Sequence, residues 1–324
     1  MQISFHRLFP QPLVAICLSG ELGIAAAHAA RIADGRPAYL LAMISWAATP
    51  DHVAQVRSCV DTAAAAHPNL RVVLLASTPA AEGVLQAAGF DTVLANHNAF
   101  LDERLFFPVP DTPKRFGAVY NARLVPWKRH DLAAGVPRLA VISGGYAVDP
   151  QQARERIQAL PNLAWTNWNA ETGDWNKLLP WDVRSILVRS HCGLCLSAVE
   201  GAMFASGEYL LCGLPVVTTP SDGGRDAFFE DGYVATVEPE VEAVAAAAAR
   251  FREKPPDPLR VRRRTLELMR EHRRRLLQRL SEIVGYDLVE IAGPSLWAPQ
   301  FINRFARLAE VQEPAATVGE AATA

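Results

Sequence analysis

The sequence predicts an α/β protein that is built from two domains with parallel sheets. Short apolar or β-branched runs alternate with amphipathic stretches along the chain, and this order gives parallel strands joined by right-handed helical crossovers. The 324 residues are also more than one hydrophobic core usually holds. A proline-rich stretch at 107–113 has no periodicity, so we place a first domain at 1–108 and a second at 109–312.

The first domain is predicted to begin with a buried strand at 13–19, a glycine-containing turn and an alanine-rich helix that ends near Gly35. Strands at 37–45, 71–76 and 92–95 then alternate with helices at 51–66 and 79–88. A strand, a glycine loop and a helix suggest the start of a Rossmann-like half, which makes Gly20 a candidate nucleotide contact. The spacing of Gly20 and Gly23 is not a dinucleotide fingerprint, and both could equally serve only to turn the chain.

Polar residues follow the last strand of the first domain. His97 and Asn98 stand at the carboxyl end of that strand, which is where ligands of open α/β sheets bind. His97 could act on an acceptor hydroxyl or contact a phosphate, and it could equally fix the loop. An acceptor-side role for His97 and Asn98 is therefore one of two open alternatives.

The second domain is predicted to continue the alternation to the end of the chain. Its strands are expected at 116–121, 138–143 and 163–165, in a run that ends at 196, and at 216–219 and 233–237. Its helices are expected at 150–160, 177–189, from 204 to 213, at 239–252, at 259–283 and at 295–309. Small and acidic residues predict a disordered tail at 313–324.

Composition limits the possible classes of function. The formal net charge is −2, so no strong basic field indicates a nucleic-acid partner. Five cysteines, an odd number, fit a reducing cytoplasm better than a disulfide framework. Cys192 and Cys195 form a lone C-x-x-C, for which packing is a better explanation than a metal site. Pro10 and Pro12 interrupt the first apolar segment, and no run is long enough to span a membrane. We expect a cytoplasmic protein.

The stretch from His191 to Tyr233 is the most informative part of the sequence. Glu200 and Glu208 stand eight positions apart, one in the loop before a predicted helix and one in its first turns. Because ligands bind at the carboxyl ends of the strands, both carboxylates can face one crevice. Taken alone, they could also be a first-turn acid favoured by the helix dipole and a solvated helix residue.

Two motifs in the second domain resemble those of the family 4 retaining glycosyltransferases. The segment Glu200-Gly-Ala-Met-Phe-Ala-Ser-Gly-Glu208, followed by a helix end reading Gly-Leu-Pro-Val-Val, is similar to their E-x7-E signature. The segment Ala122-Arg-Leu-Val-Pro-Trp-Lys128 is similar to their Gly-Arg-Leu loop with a following Lys, although Ala122 replaces the usual Gly. The resemblance implies two Rossmann-like domains that face each other across a cleft, the GT-B type, with a short N-terminal domain.

The resemblance also implies a chemistry and a role for each matching residue. The reaction is transfer of a sugar from a nucleotide diphosphate sugar to an acceptor hydroxyl, with retention of the anomeric configuration and without a metal. Arg123 and Lys128 would bind the donor diphosphate, Glu200 a hydroxyl of the donor sugar, and Glu208 the ribose. The further donor-binding candidates are the backbone amides near Met203 and Phe204, with the adjoining Gly201 and Ala202.

The contact with the base of the nucleotide is left unassigned by the sequence. In the resembling family the loop after the 163–165 strand lies beside the base, but Asn167 stands where that family commonly has Gly. Asn167 is therefore a candidate in a position that departs from the family pattern. Nearby tryptophans could stack on a base or fill a core; they are Trp165, Trp168, Trp175 and Trp181.

The expected partners are the donor and an acceptor that is a glycan, a lipid, a protein or a small molecule. We expect no cofactor beyond the nucleotide sugar. The helix at 259–283 carries nine arginines and could contact a membrane surface, although its apolar stripe favours a packed helix with a solvated basic face. A nucleotide-sugar epimerase or a phosphorylase of the same fold is one rival function. A non-catalytic scaffold is another, because the first domain is short.

Overall fold

The computed structural model describes residues 4–19, 22–44, 48–144 and 149–296. The chain forms two compact units, one of Met1–Phe100 with Arg270–Ala324 and the other of Leu101–Met269. This division differs from the predicted one, which kept the chain up to 312 in the second domain. Gly20, most of the predicted helix at 295–309 and the tail at 313–324 lie outside the described residues.

The first unit contains a five-stranded sheet with the order β1-β2-β3-β4-β5. The strands are β1 (Ser4–Pro10), β2 (Leu13–Ser19), β3 (Ala38–Met43), β4 (Leu70–Ala76) and β5 (Thr92–Leu94). The helices between them are α1 (Leu22–Ala33), α2 (Pro50–Ala66) and α3 (Pro79–Ala87). β1 pairs antiparallel with β2, and the other pairings are parallel. The alternation predicted for this part of the chain is confirmed, whereas β1 was not predicted.

Helix α1 packs closely on the first sheet because its buried face consists of alanines. Ala25 and Ala29 are fully buried against Ala15 and Leu40 of the sheet. The helices α2 and α3 each begin with a threonine whose side chain accepts a backbone hydrogen bond, followed by a proline in the first turn. Both features are start signals that the sequence contains.

The second unit contains a six-stranded parallel sheet with the order β13-β12-β11-β6-β7-β8. Its strands and a small hairpin (β9 and β10) are β6 (Ala118–Asn121), β7 (Leu139–Ile142), β8 (Leu163–Thr166), β9 (Trp168–Asn169), β10 (Asp174–Trp175), β11 (Gly193–Cys195), β12 (Val216–Thr218) and β13 (Val234–Thr236). Its helices are α4 (Pro150–Gln158), α5 (Pro180–Leu187), α6 (Phe204–Leu211) and α7 (Val241–Glu253). This is the doubly wound order of Rossmann-like sheets, so the predicted fold class is confirmed.

The long helix α8 (Pro258–Val284) contributes residues to both units, and α9 (Leu288–Ala292) follows it. From Arg270 onward α8 bonds to the first unit: His272 Nδ1 accepts from the Asn96 amide at 3.0 Å, and the buried Arg273 donates to Ala99 O at 2.7 Å. Arg275 pairs with Glu82 at 3.2 Å. These bonds explain why the chain divides at 270 and not near 312.

Most arginines of α8 are engaged with other groups of their own unit. Arg262 donates to the carbonyls of Glu103, Phe106 and Leu211, and Arg264 pairs with Glu230 and Glu267. The exposed arginines of this helix include Arg260, Arg263 and Arg270. Membrane contact through this helix stays a prediction. No helix in the described ranges is long and apolar enough to cross a membrane.

Candidate active site

The candidate site lies at the carboxyl edge of the six-stranded sheet, at the point where the strand order reverses. From β6 the sheet grows to one side through β7 and β8, and to the other through β11, β12 and β13. The loops that follow β6 and β11 therefore leave neighbouring strands in opposite directions, which opens a crevice between them. Lys128 lies in the first loop and Glu200 in the second.

Lys128 and Glu200 form an ion pair across this point. The Lys128 Nζ donates to Glu200 Oε2 although the residues stand 72 positions apart. The Lys128 side chain is only 6% exposed and that of Glu200 18%. The hydroxyl of the buried Tyr120, in β6, donates to the Lys128 carbonyl at 2.5 Å and fixes the loop from the strand side. The structure thus brings together two residues that the sequence predicted for one site.

Glu200 is held by a close approach of two loops. Its amide donates to Asp222 O at 3.0 Å. Gly223 has a φ of +117°, and a Cβ at this position would lie 1.7 Å from Glu200 O. Only glycine allows both this conformation and this approach. The first glycine of the Gly223-Gly224 pair therefore sets the position of the Glu200 backbone.

Glu208 lies in α6, half-buried beside the end of β6. Its Oε2 accepts from Asn121 Nδ2 at 3.1 Å, and the Asn121 amide donates to the Tyr209 hydroxyl at 2.6 Å. Burial raises the pKa of Glu208 to about 7, and the Asn121 hydrogen bond opposes that rise. Tyr209 reaches this position because Gly193 has no side chain: a Cβ there would lie 2.2 Å from the tyrosine ring.

Arg123 is exposed, in contrast to Lys128. Within the described residues its guanidinium makes no hydrogen bond or ion pair. It follows β6 by two positions, in the same loop as Lys128. In this loop Lys128 is therefore paired within the protein, whereas Arg123 can bind an anion from solution.

The amino end of α6 adds backbone donors near this loop. Gly201, Ala202 and Met203 are buried, and Phe204 begins the helix with its side chain partly exposed. Ser206 Oγ donates to Met203 O at 2.8 Å and so fixes the first turn. The positive end of the helix dipole lies at this turn, which favours an anion there.

Two arginines that the sequence did not single out organise the loops of the site. Arg225 is fully buried, and its guanidinium donates to Ser197 O, Thr219 O and Thr218 Oγ1, each at 2.7 Å. Arg129 donates to Leu196 O at 2.5 Å and to Thr219 Oγ1 at 2.7 Å. Three of these partners are backbone carbonyls, which no sequence motif marks. The nearest signals were their positions beside Lys128 and beside the Gly223-Gly224 pair.

The side chain of Asn167 is occupied by loop contacts. Its Oδ1 accepts from the Ser143 amide at 3.0 Å, and its Nδ2 donates to Ser143 O at 2.7 Å and to Asn176 O at 3.0 Å. Asn167 thus clamps the β9–β10 hairpin to the end of β7. Trp168 and Trp175 pair edge to face on that hairpin at 5.0 Å. A donor contact for Asn167 stays a prediction.

His97 and Asn98 lie in the first unit, in a 3-10 turn after β5. His97 Nδ1 is 2.8 Å from Met43 Sδ, and the Asn98 amide donates to Asn96 Oδ1 at 2.9 Å. They stand at the carboxyl edge of the first sheet, as predicted. Their acceptor-side role stays a prediction.

The cysteine pair of the second unit is buried in the sheet. Desolvation raises the pKa values of Cys192 and Cys195 to about 12, so both are neutral thiols at physiological pH. Within the described residues no group of three His, Cys, Asp or Glu side chains could hold a metal ion. Metal independence stays a prediction.

No family model and no curated protein matches this sequence. Solved structures do match its fold. HepE from Anabaena, in complex with UDP and glucose, has a TM-score of 0.55 and 17% identity, over 83% of this chain and 77% of that one. The fold is that of the GT-B glycosyltransferases.

Two further structures have the same GT-B fold. An α,α-trehalose-phosphate synthase (UDP-forming) from Burkholderia vietnamiensis has a TM-score of 0.52 and 13% identity, over 79% of this chain and 67% of that one. The pneumococcal O-GlcNAc transferase GtfA, in complex with UDP and GlcNAc, has a TM-score of 0.51 and 17% identity, over 76% of this chain and 52% of that one. The expected GT-B type is therefore confirmed, and membership of family 4 stays a prediction.

Proposed function

We propose that this chain is a glycosyltransferase that moves a sugar from a nucleotide diphosphate sugar to an acceptor hydroxyl. The observation that carries the proposal is the Lys128–Glu200 pair at the switch point of a Rossmann-like sheet. A cation and a carboxylate at one point suit a ligand that offers an anion and a hydroxyl side by side. A diphosphate joined to a sugar is such a ligand.

The cations of the site would stabilise the departing diphosphate. Negative charge builds on its oxygens as the bond to the sugar breaks. Arg123 offers an exposed planar fork and Lys128 a compact charge, and the first turn of α6 offers backbone amides. Such preorganised donors act without reorganisation at the moment of reaction. They support the further proposal that no divalent metal is needed.

The two glutamates would bind the two neutral sugar rings of the donor, the transferred sugar and the ribose. Glu200 would accept a hydrogen bond from the donor sugar, and Glu208 from the ribose hydroxyls. An ionised carboxylate performs both tasks best, because both of its oxygens accept and a charged acceptor binds more strongly. Because the pKa of Glu208 is about 7, a large part of its population is neutral in the free protein at that pH. Donor binding would shift it to the ionised form.

We further propose a UDP sugar as donor and retention of the anomeric configuration. HepE has been solved with UDP and with UDP-glucose, and GtfA with UDP. That three GT-B neighbours use or form UDP supports this class of donor. The proposal of retention rests on the E-x7-E resemblance at Glu200 and Glu208.

A thermal-shift screen of UDP-, GDP-, ADP- and dTDP-sugars tests the proposal. A ligand at 100 times its dissociation constant stabilises the protein by about 2.7 kcal/mol. We expect a UDP sugar to raise the melting temperature of the wild type, and to raise it less in Arg123→Ala and Lys128→Ala. Lys177→Ala is the matched control, because Lys177 is an exposed cation of the same unit.

Turnover then separates the rival functions. We expect UDP release only when an acceptor is present. A donor isomer without UDP release would identify an epimerase, and phosphate-dependent cleavage of a glycoside would identify a phosphorylase. If no nucleotide sugar binds, the proposal is wrong, and this result favours the scaffold. Comparing the anomeric configuration of donor and product by NMR tests retention.

A further inference from the structure

Arg129 has a backbone conformation that is unusual for its residue type. Its φ is 50° and its ψ 52°, in the left-handed region. It joins two short 3-10 turns, Pro126–Lys128 and His130–Ala133, and so reverses the chain directly after Lys128. Because a Cβ disfavours this region, glycine is the residue expected at such a joint. An arginine here needs a compensating interaction.

The guanidinium of Arg129 supplies that interaction. Its Nε donates to Leu196 O at 2.5 Å and its Nη2 to Thr219 Oγ1 at 2.7 Å. Leu196 directly follows β11 and Thr219 directly follows β12. Thr219 Oγ1 also donates to Leu196 O at 3.2 Å, which closes the arrangement. One side chain from the loop after β6 is thereby fastened to the ends of two other strands.

These bonds bear on Lys128 because the two residues are adjacent. The Lys128 carbonyl is held from β6 by Tyr120, and the following residue is held from β11 and β12 by Arg129. With both sides fixed, the Lys128 side chain is directed to Glu200 and is almost fully buried. We propose that Arg129 is a positioning residue that fixes the Lys128 loop, and that it acts on the donor only through Lys128. The action of Arg129 on the donor rests on the proposed function.

Amine labelling tests the positioning without any donor. The sequence contains four lysines, Lys114, Lys128, Lys177 and Lys254. Lys177 and Lys254 are exposed and serve as internal references for acetylation of the folded protein, read by mass spectrometry. We expect Lys128 to be protected in the wild type. Arg129→Gly removes the guanidinium and relieves the backbone strain at this position. In this variant the acetylation rate of Lys128 relative to that of Lys177 should rise about tenfold or more.

Arg138→Gly is a matched control for this labelling. Arg138 also has a left-handed backbone conformation, with a φ of 55°, and its Nε donates to Arg115 O at 2.7 Å. It directly precedes β7, however, and so lies at the amino ends of the strands, away from the site. We expect its substitution to leave Lys128 protected. If Arg129→Gly does not fold, Arg129→Lys keeps the charge without the fork and should give a smaller rise in the same ratio. A folded Arg129 variant with wild-type protection of Lys128 would overturn the inference.

A double-mutant cycle on UDP binding tests whether Arg129 acts through Lys128. We expect Arg129→Gly to weaken UDP binding about tenfold in the wild type, and less than about twofold in Lys128→Ala. An equal loss in both backgrounds would overturn the claim that Arg129 acts on the donor only through Lys128. Absence of UDP binding by the wild type contradicts the proposed function, and the labelling ratio still decides the positioning role.

Discussion

Replacing Glu208 by Gln should stabilise the free protein above neutral pH. Burial raises the pKa of Glu208 from 4.5 to about 7 in the folded state. Below pH 4.5 the carboxyl is protonated whether the chain is folded or not, so its titration has no effect on stability. As the pH rises from 4.5 to 7 the unfolded chain releases its proton while the folded protein still keeps it, and above 7 the folded protein must hold a half-buried carboxylate. The resulting loss of stability is about 3 kcal/mol when complete.

Glutamine has nearly the same shape, can accept the Asn121 hydrogen bond and does not ionise. The stability advantage of Glu208→Gln over the wild type should therefore grow by about 2 kcal/mol between pH 5 and pH 8. Urea unfolding followed by tryptophan fluorescence measures it for the second unit. Five of the seven tryptophans lie there, Trp127, Trp165, Trp168, Trp175 and Trp181. An advantage that stays constant or shrinks with rising pH would refute the reasoning.

Glu230→Gln is a control of opposite sign. The Arg264 hydrogen bond lowers the pKa of Glu230, so this carboxylate stabilises the folded state above its ordinary pKa and loses that effect as the pH falls. Its removal should destabilise the protein at pH 8.

UDP-glucose provides a second test of the Glu208 pKa, because its diphosphate does not titrate between pH 5 and 8. Its stabilising effect should increase with pH up to about 7 in the wild type and be flat in Glu208→Gln.

Three further predictions concern the ion pair and the reaction. Lys128→Met and Glu200→Gln should each destabilise the protein by about 3 kcal/mol, since each leaves a largely buried charge unpaired, and the double variant by less than their sum in urea unfolding. With an active donor and acceptor, steady-state kinetics should show that Glu200→Gln mainly lowers turnover and that Glu208→Gln mainly raises the donor Michaelis constant; a reversed pattern contradicts the assigned roles. Turnover should persist in EDTA, and loss of activity that manganese or magnesium restores would show that a metal is required.

The sequence was sufficient for most of the fold because its signals are local. Buried strands appear as apolar runs, and helices such as α2 and α3 have their caps and prolines in place. The strand β1 was missed because it includes charged and polar residues such as His6 and Arg7. The hairpin of β9 and β10 was missed because each strand has two residues, which is too short for a periodicity.

The part that could not be predicted depends on distant contacts. That α8 belongs to the first unit beyond Arg270 follows from bonds to residues such as Asn96, which stands 176 positions away from His272. Glu200 and Lys128 were found because a motif marks them. Asn121 and Arg129 have no such mark, since their roles come from a neighbouring side chain or a backbone carbonyl that only the folded sheet provides.

The contact between Gly193 and Tyr209 predicts how this sequence and its relatives can diverge. A methyl group at 193 would occupy the volume of the tyrosine ring, so the two positions cannot change independently. A lineage that acquires alanine at 193 should carry a smaller residue at 209. It would then lose the hydroxyl that accepts the hydrogen bond of the Asn121 amide. Covariation of these two positions with the residue at 121 is therefore expected in an alignment of related sequences, even though none of the three belongs to the E-x7-E signature.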